Sequence, residues 1–408
     1  MSHVLLLPGS NTLSHIAKAL VLRTTLQAHG HTVSLAVNAA RADFLARIGV
    51  PFDHCLPDLQ DADGGNRPST FWFRPERVET VVRAETALIR ALRPQRVFGV
   101  FRFTAPISTA LAGIPCDSLS CGAMLPALPT PLGFHPDEPG AAAQGDALAF
   151  FRQACARRMA PALERLGHRP VADLLDLQFG ARTYLWDYPE FQPLPATPGV
   201  HHVGPLFWSG WPAPPLDEGA LDALRGPLAF VAFGTGHAPP RLLRHLIDAL
   251  WARGYAVALA LGGQPAAPVL AALPHDPTRL AVFDFLPAAR VLPRAALVVC
   301  HGGQLLIFEA LAQRVPVFVL PLQPEQAQNG LCLERLGCGK RLLTGVVYTG
   351  DPGAIDTAFL ARPVNAVADD FAAVLDAPQT PARLAAIAAA QARYRGAAAL
   401  AEHYGRNA

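Results

Sequence analysis

The stretch that most restricts this chain runs from Phe285 to Asn329. Ala295–Cys300 is a short apolar run with two adjacent valines, the pattern of a buried strand. Leu305–Leu311 has helical character, and His301-Gly302-Gly303-Gln304 stands between the two. Glycines in so tight a turn let the backbone come close to a guest, and the free N–H groups and dipole at a helix start face negative charge. A phosphate or diphosphate is the guest that such a turn suits. His301 can add a ring N–H to a phosphate oxygen.

Downstream, Glu309 lies in the helical stretch, Val315–Leu320 reads as a strand, and Pro321-Leu-Gln-Pro-Glu325-Gln326 follows it. In an α/β sheet both loops sit at the carboxyl edge of neighbouring strands, where ligands bind. A carboxylate takes a pair of sugar hydroxyls, and an amide both donates and accepts. A phosphate cradle with hydroxyl-binding groups beside it points to a nucleotide sugar.

At these residues the chain resembles the family 1 glycosyltransferases of the GT-B fold, bacterial natural-product type. Their donor box runs His-Cys/Gly-Gly, a Glu eight residues after the His, and Asp/Glu-Gln starting twenty-four after it; His301, Glu309 and Glu325-Gln326 fall in that register. The resemblance implies two Rossmann-like α/β domains facing a cleft. It places His301, Gly302, Gly303 and Gln304 at the diphosphate, Glu309 on the ribose, and Glu325 and Gln326 on the sugar. Gly234-Thr235, after the strand-like Leu228–Phe233, resembles the Gly-Ser/Thr turn that approaches the phosphates. Phe285-Leu-Pro287 resembles the aromatic-x-Pro-Gln whose aromatic stacks on the base, with Ala288 where the family has Gln; core packing is the other reading of Phe285.

The first half opens as a βαβ unit. Val4–Leu7 is a strand, a helix runs from about His15 to Ala28 with Gly30 as its cap, and Thr32–Val37 is the next strand. His15 sits where the exit loop meets the helix, either as a capping, solvated residue or as a functional one. The family shows Gly-His here and again sixteen residues on, matched by Ser14-His15 and Gly30-His31. The resemblance implies that His15 is the general base toward the acceptor, which suits an imidazole at neutral pH, while His31 is a surface residue. The family's orienting Asp is missing. Arg102 stands in its region and would depress a neighbouring histidine; Asp117 is the nearest acid downstream and could substitute. Asp58–Arg77 and Leu125–Gln144 are Gly/Pro-rich loops. For Phe71, Trp72 and Phe73, and for Phe101, Phe103 and Met124, the readings are loop pinning or an acceptor pocket.

A chain of 408 residues exceeds a single core. The expected division is 1–204 for acceptor binding, a Pro-rich linker 205–226, 227–380 for the nucleotide sugar, and a helical tail 381–408 packing back on the first domain. A net charge of +2, with no basic cluster interleaved with aromatics, argues against nucleic acid. Seven cysteines without metal spacing fit reduced thiols, and no apolar run is long enough for a span, so a cytoplasmic place is expected. No carboxylate pair is spaced for Mg²⁺ at the diphosphate, and the family works without a metal.

The expectation is therefore inverting transfer of a hexose from a UDP-sugar or dTDP-sugar, UDP-glucose first, to a small, largely apolar hydroxyl acceptor such as a phenol or polyketide. No cofactor is expected, and a homodimer is left open. The rivals are a non-catalytic nucleotide-sugar-binding partner and a GT-B sugar-nucleotide epimerase.

Overall fold

In the computed structural model, residues 1–9, 12–59, 73–128, 131–211, 217–234, 238–348 and 352–405 are described. The chain forms two compact units. The first comprises Met1–Pro129, Asp146–Pro212 and Tyr394–Ala408; the second comprises Thr130–Gly145 and Ala213–Arg393.

Short runs that are apolar at every position, such as Val4–Leu7 and Leu297–Cys300, have no polar face to give to water. They are fully buried, as strands covered on both sides must be. In the first unit the strands are β1 (His3–Pro8), β2 (Thr32–Asn38), β3 (His54–Leu56), β4 (Arg96–Val100), β5 (Cys116–Ser120), β6 (Thr183–Leu185) and β7 (Val200–His202). They form one parallel sheet in the order β3-β2-β1-β4-β5-β6-β7.

The second unit has β8 (Leu228–Ala232), β9 (Ala256–Ala260), β10 (Leu280–Phe283), β11 (Ala295–Cys300), β12 (Val317–Val319) and β13 (Gly339–Arg341), again all parallel, in the order β10-β9-β8-β11-β12-β13. Its core is built on stripes such as Leu242, Leu246 and Leu250 of the helix Pro240–Ala252, set against Val231, Leu259 and Val299 of the sheet. In both sheets the strand order reverses next to the first strand, at β1/β4 and at β8/β11. An open parallel sheet leaves a crevice there, beyond the carboxyl ends of its strands.

Two segments fall differently from the sequence expectation. Residues 131–145 pack within the second unit, although they sit between stretches of the first. The tail is two helices, Thr380–Gln391 and Ala397–Gly405, and only the second belongs to the first unit. The break is at Gly396, whose φ is +53° and whose N–H donates to Val203 O at 2.8 Å; a Cβ there would collide with Pro205 O. Gln391 of the first helix bonds Phe308 O at 3.0 Å, whereas on the second helix Tyr404 bonds Ser2 and His403 bonds Tyr184. No helix among the described residues is long and apolar enough to cross a membrane.

Candidate functional site

At the β8/β11 reversal, β11 ends at Cys300 and the chain turns through His301 and Gly302 into the helix Gln304–Ala312. Gly302 has φ +100°, and a Cβ on it would lie 2.8 Å from Gln326 O. The turn therefore has room only for glycine. The helix start has no side-chain cap, so its first N–H groups point outward without a capping side chain. His301 lies between the two glycine turns: a Cβ at Gly234 would be 3.2 Å from its Cε1, and one at Gly303 would be 2.8 Å from its Nε2. Its Nδ1 is buried and makes no hydrogen bond among the described residues. Burial lowers the His301 pKa to about 4, against a smaller opposing hydrogen bond between the ring and the Ala232 backbone. The ring is thus neutral, with a nitrogen left for a guest.

Asn329 ties this turn to the next loop. It donates to Gly302 O at 2.9 Å and to Glu325 Oε1 at 2.8 Å, and accepts from Gln304 Nε2 at 3.1 Å. Glu325 and Asn329 are one helical turn apart on the helix Pro324–Leu336. Gln326 is buried and accepts from Leu322 N at 2.8 Å, while Glu309 is half-buried on the helix behind the turn. The structure thus brings His301, Gly302, Gly303, Gln304, Glu325 and Gln326 together. Gly234 faces them at the end of β8, with φ +56°, and Thr235 lies outside the described residues. Phe285, in the loop after β10, is 42% exposed, so it is a free aromatic face and not core. Asn329 escaped the sequence reading; a polar residue four positions after Glu325 on a helix was its available signal.

At the β1/β4 reversal of the other sheet, the helix Leu13–Ala28 presents His15. Its ring stacks on Phe101 at 4.7 Å, with Trp186 at 6.1 Å. Lys18, one turn along the same helix, lies 4.4 Å over the Trp186 ring. Burial, then the Lys18 charge, push the His15 pKa down to about 3, against a smaller opposing hydrogen bond with Gly9. The reading of His15 as a solvated cap does not hold: it is 7% exposed. A row of rings continues inward, from Phe101 to Phe103 at 5.4 Å and from Phe103 to Phe73 at 5.6 Å. Phe73 is fully buried against Val78, Ile107 and Met159, so it is core and not pocket lining. Phe71 and Trp72 lie outside the described residues. Phe103 is partly buried at the edge of that core, and Met124 is half-buried in a short 3-10 turn.

The two substitutes considered for the missing carboxylate go elsewhere. Arg102 is buried in an ion pair with Glu85, at 2.6 Å from Nη2 to Oε1. It also donates to Pro8 O at 2.9 Å and to Asn38, and Thr104 and Ser108 complete the shell around Glu85. The network fastens the carboxyl ends of β1, β2 and β4. The charge that depresses His15 is Lys18 and not Arg102. Asp117 sits opposite Phe98 in the register of β4 and β5, three positions back from Phe101, or about 10 Å along the strand. There it pairs with Arg96 at 3.0 Å and accepts from Arg182 N at 3.2 Å. Asp117 therefore belongs to the amino half of the sheet, away from His15. His202, at the end of β7, bonds Asp187 at 3.1 Å, and Asp187 also accepts from Gly122 N at 2.6 Å. Among the described residues no group of three or more His, Cys, Asp or Glu is placed to hold a metal ion.

Residues 241–347 match the model of the glycosyltransferase family 28 C-terminal domain, a range that contains the whole His301–Gln326 cradle. A PGL/p-HBAD biosynthesis glycosyltransferase of Mycobacterium tuberculosis is 25% identical over 359 residues, covering 84% of this chain and 81% of the relative. A PGL/p-HBAD biosynthesis rhamnosyltransferase of Mycobacterium bovis is 25% identical over 365 residues, covering 84% and 77%. The demethyllactenocin mycarosyltransferase of Streptomyces fradiae is 34% identical over 153 residues, 36% of this chain and 31% of the relative. Among solved structures, the spinosyn forosaminyltransferase SpnP superposes with a TM-score of 0.70 at 16% identity, over 99% of this chain and 98% of that one. The glycosyltransferase VinC in complex with dTDP gives 0.67 at 16% identity with the same coverage.

Proposed function

Taking as premise that this chain is a family 1-like glycosyltransferase of the GT-B fold, we propose that it moves a hexose from a nucleoside diphosphate to the hydroxyl of a small, largely apolar acceptor, with inversion. The observation that carries the donor half is the buried Nδ1 of His301, unbonded among the described residues, within a turn lined by Gly234, Gly302 and Gly303. Neutral His301 and the N–H groups of Gln304 and its neighbours take the charge that develops on the departing diphosphate, and no step is assigned to a metal. Glu309 binds the ribose, Glu325 and Gln326 the sugar, and Phe285 stacks on the base. Thymidine diphosphate deoxysugars stand beside UDP-glucose as donors. The names of the rhamnosyl- and mycarosyltransferase relatives and the dTDP held by VinC support widening the choice.

On the acceptor side, His15 takes the proton of the attacking hydroxyl as the oxygen displaces the diphosphate at the anomeric carbon. A base depressed to about 3 is weak, which favours acceptors that ionise easily. The rings of Phe101 and Trp186 beside it suit an aromatic or otherwise apolar body. A phenol meets both conditions. Reduced cysteines without metal spacing support a cytoplasmic place.

The test is turnover of UDP-glucose and dTDP-rhamnose with a panel of phenols and aliphatic alcohols, read by product mass and by the anomeric configuration of the product. Glycosylated phenols of inverted configuration are expected. Tight nucleotide binding without product from any pair would favour a non-catalytic partner, and a changed sugar on the nucleotide would favour an epimerase.

A further inference from the structure

Residues 131–145 are held to the second unit by a buried ion network centred on Arg341 of β13, whose side chain is 3% exposed. Arg341 Nη1 donates to Gly133 O at 2.7 Å and to Glu138 Oε2 at 3.0 Å, while Nη2 donates to Glu334 Oε2 at 2.9 Å. The remaining carboxylate oxygens are also used. Glu138 Oε1 accepts from Gly345 N and Glu334 Oε1 from Arg341 N, each at 2.8 Å. Farther along the segment, Gln144 Oε1 accepts from Tyr348 N at 2.7 Å. The inner end of the segment presses on the helix Pro324–Leu336. Gly133 N donates to Gln328 Oε1 at 3.0 Å, and a Cβ at Gly133 would lie 2.5 Å from that of Ala327 and 3.0 Å from Pro324 O. Gly330 leaves room for Arg341 to cross the same helix, since a Cβ there would be 2.5 Å from Arg341 Cγ.

The first turn of that helix carries Glu325 and Gln326. A buried ion network adds little net stability over an apolar packing of the same volume, and in some proteins it instead fixes a geometry. The geometry points to Arg341, and the 131–145 segment it anchors, as the positioning element for the sugar half of the donor site. The inference rests on the reading of Glu325 and Gln326 as sugar ligands. The diphosphate half is built on other elements, the ends of β8 and β11, and meets this helix through Asn329 and Gln326 O. Loss of the anchor should therefore shift Glu325 and Gln326 more than the cradle at His301.

The experiment compares Arg341→Met, Arg341→Lys, Glu138→Gln and, as reference, Glu325→Ala. KM and kcat are measured with UDP-glucose and dTDP-rhamnose, and binding of the sugar-free UDP and dTDP by calorimetry. Arg341→Met should lower kcat/KM by about 10- to 100-fold, the scale of a small misplacement of positioned groups, with a much smaller loss in UDP and dTDP binding. Arg341→Lys should restore part of the loss, because an ammonium reaches one carboxylate but lacks the fork. Glu138→Gln, which keeps the volume and removes one charge, should show the same split more weakly and serves if Arg341→Met does not fold. Equal losses for nucleotide sugar and bare nucleotide, or no loss in either, would overturn the inference. If Glu325→Ala splits sugar from nucleotide and the Arg341 and Glu138 variants do not, the positioning role alone falls. If Glu325→Ala fails to split them, the reading of the sugar end falls and takes this inference with it.

Discussion

His15 and His301 occupy the same topological place in two sheets whose first six strands share one order, and burial depresses both rings. Their surroundings differ in kind. Around His301 the neighbours are glycines and backbone, with its Nδ1 unbonded among the described residues. Around His15 the neighbours are rings and a lysine, and a buried ion pair locks three strand ends of the same sheet. Backbone N–H groups recognise an anion whatever it carries, whereas ring faces select an apolar body. The shared topology thus supplies two crevices, and side chains make one suited to an anion and the other to an apolar body.

The sharpest way to break this contrast is at the first histidine. His15→Ala should slow transfer to an aliphatic alcohol by about 10²–10⁴-fold, the usual contribution of a general base. The loss should shrink for acidic phenols, which ionise without help. Rates measured across acceptors of graded acidity decide it; an equal loss for all of them would mean that the ring acts by packing alone.

A second break lies in the Glu85–Arg102 pair of the same sheet. Glu85→Ala leaves the Arg102 guanidinium buried without its carboxylate, and breaking such a pair costs about 3–5 kcal/mol. Denaturant unfolding should show a loss of that order, whereas breaking an exposed pair such as Arg83–Glu79 should have a far smaller effect. A marginal effect of Glu85→Ala would mean that the network is not the clamp described.

A smaller effect sharpens the comparison through pH. Both histidines have folded pKa values below the ordinary 6.5, at about 3 for His15 and about 4 for His301. The unfolded chain therefore takes up protons first as pH falls. The stability linked to these two rings is present above 6.5 and drains away from there toward their folded values. Replacing either ring by an uncharged one should flatten the acid side of the stability profile, measured as unfolding midpoint against pH. An unchanged slope would mean that the rings titrate normally in the folded chain.

How much of this was legible in the sequence depends on distance along the chain. The cradle was readable because strand, turn and helix are consecutive, and because Glu309, Glu325 and Gln326 sit at fixed offsets from His301. The opening β1, the helix after it and β2 were readable for the same reason. The Glu85–Arg102 pair was not, since its partners lie on different elements and only folding brings them together. Asp117 was misassigned because chain order put it after β4, while strand register places it toward the amino end of the sheet. Phe73 was taken with Phe71 and Trp72 as loop, yet its ring lies in the core. The attachment of 131–145 to the second unit had no local signal, because a Pro-rich stretch carries no periodicity to say which sheet it serves.

The central claim, that the two histidines divide donor from acceptor, is tested most directly by titrating UDP and dTDP into the parent protein, His301→Ala and His15→Ala by calorimetry. The account predicts that His301→Ala weakens nucleotide binding by about 1.5–3 kcal/mol, the scale of a hydrogen bond to a charged group, and that His15→Ala leaves it unchanged. Unchanged affinity in His301→Ala, or an equal loss in His15→Ala, would contradict it.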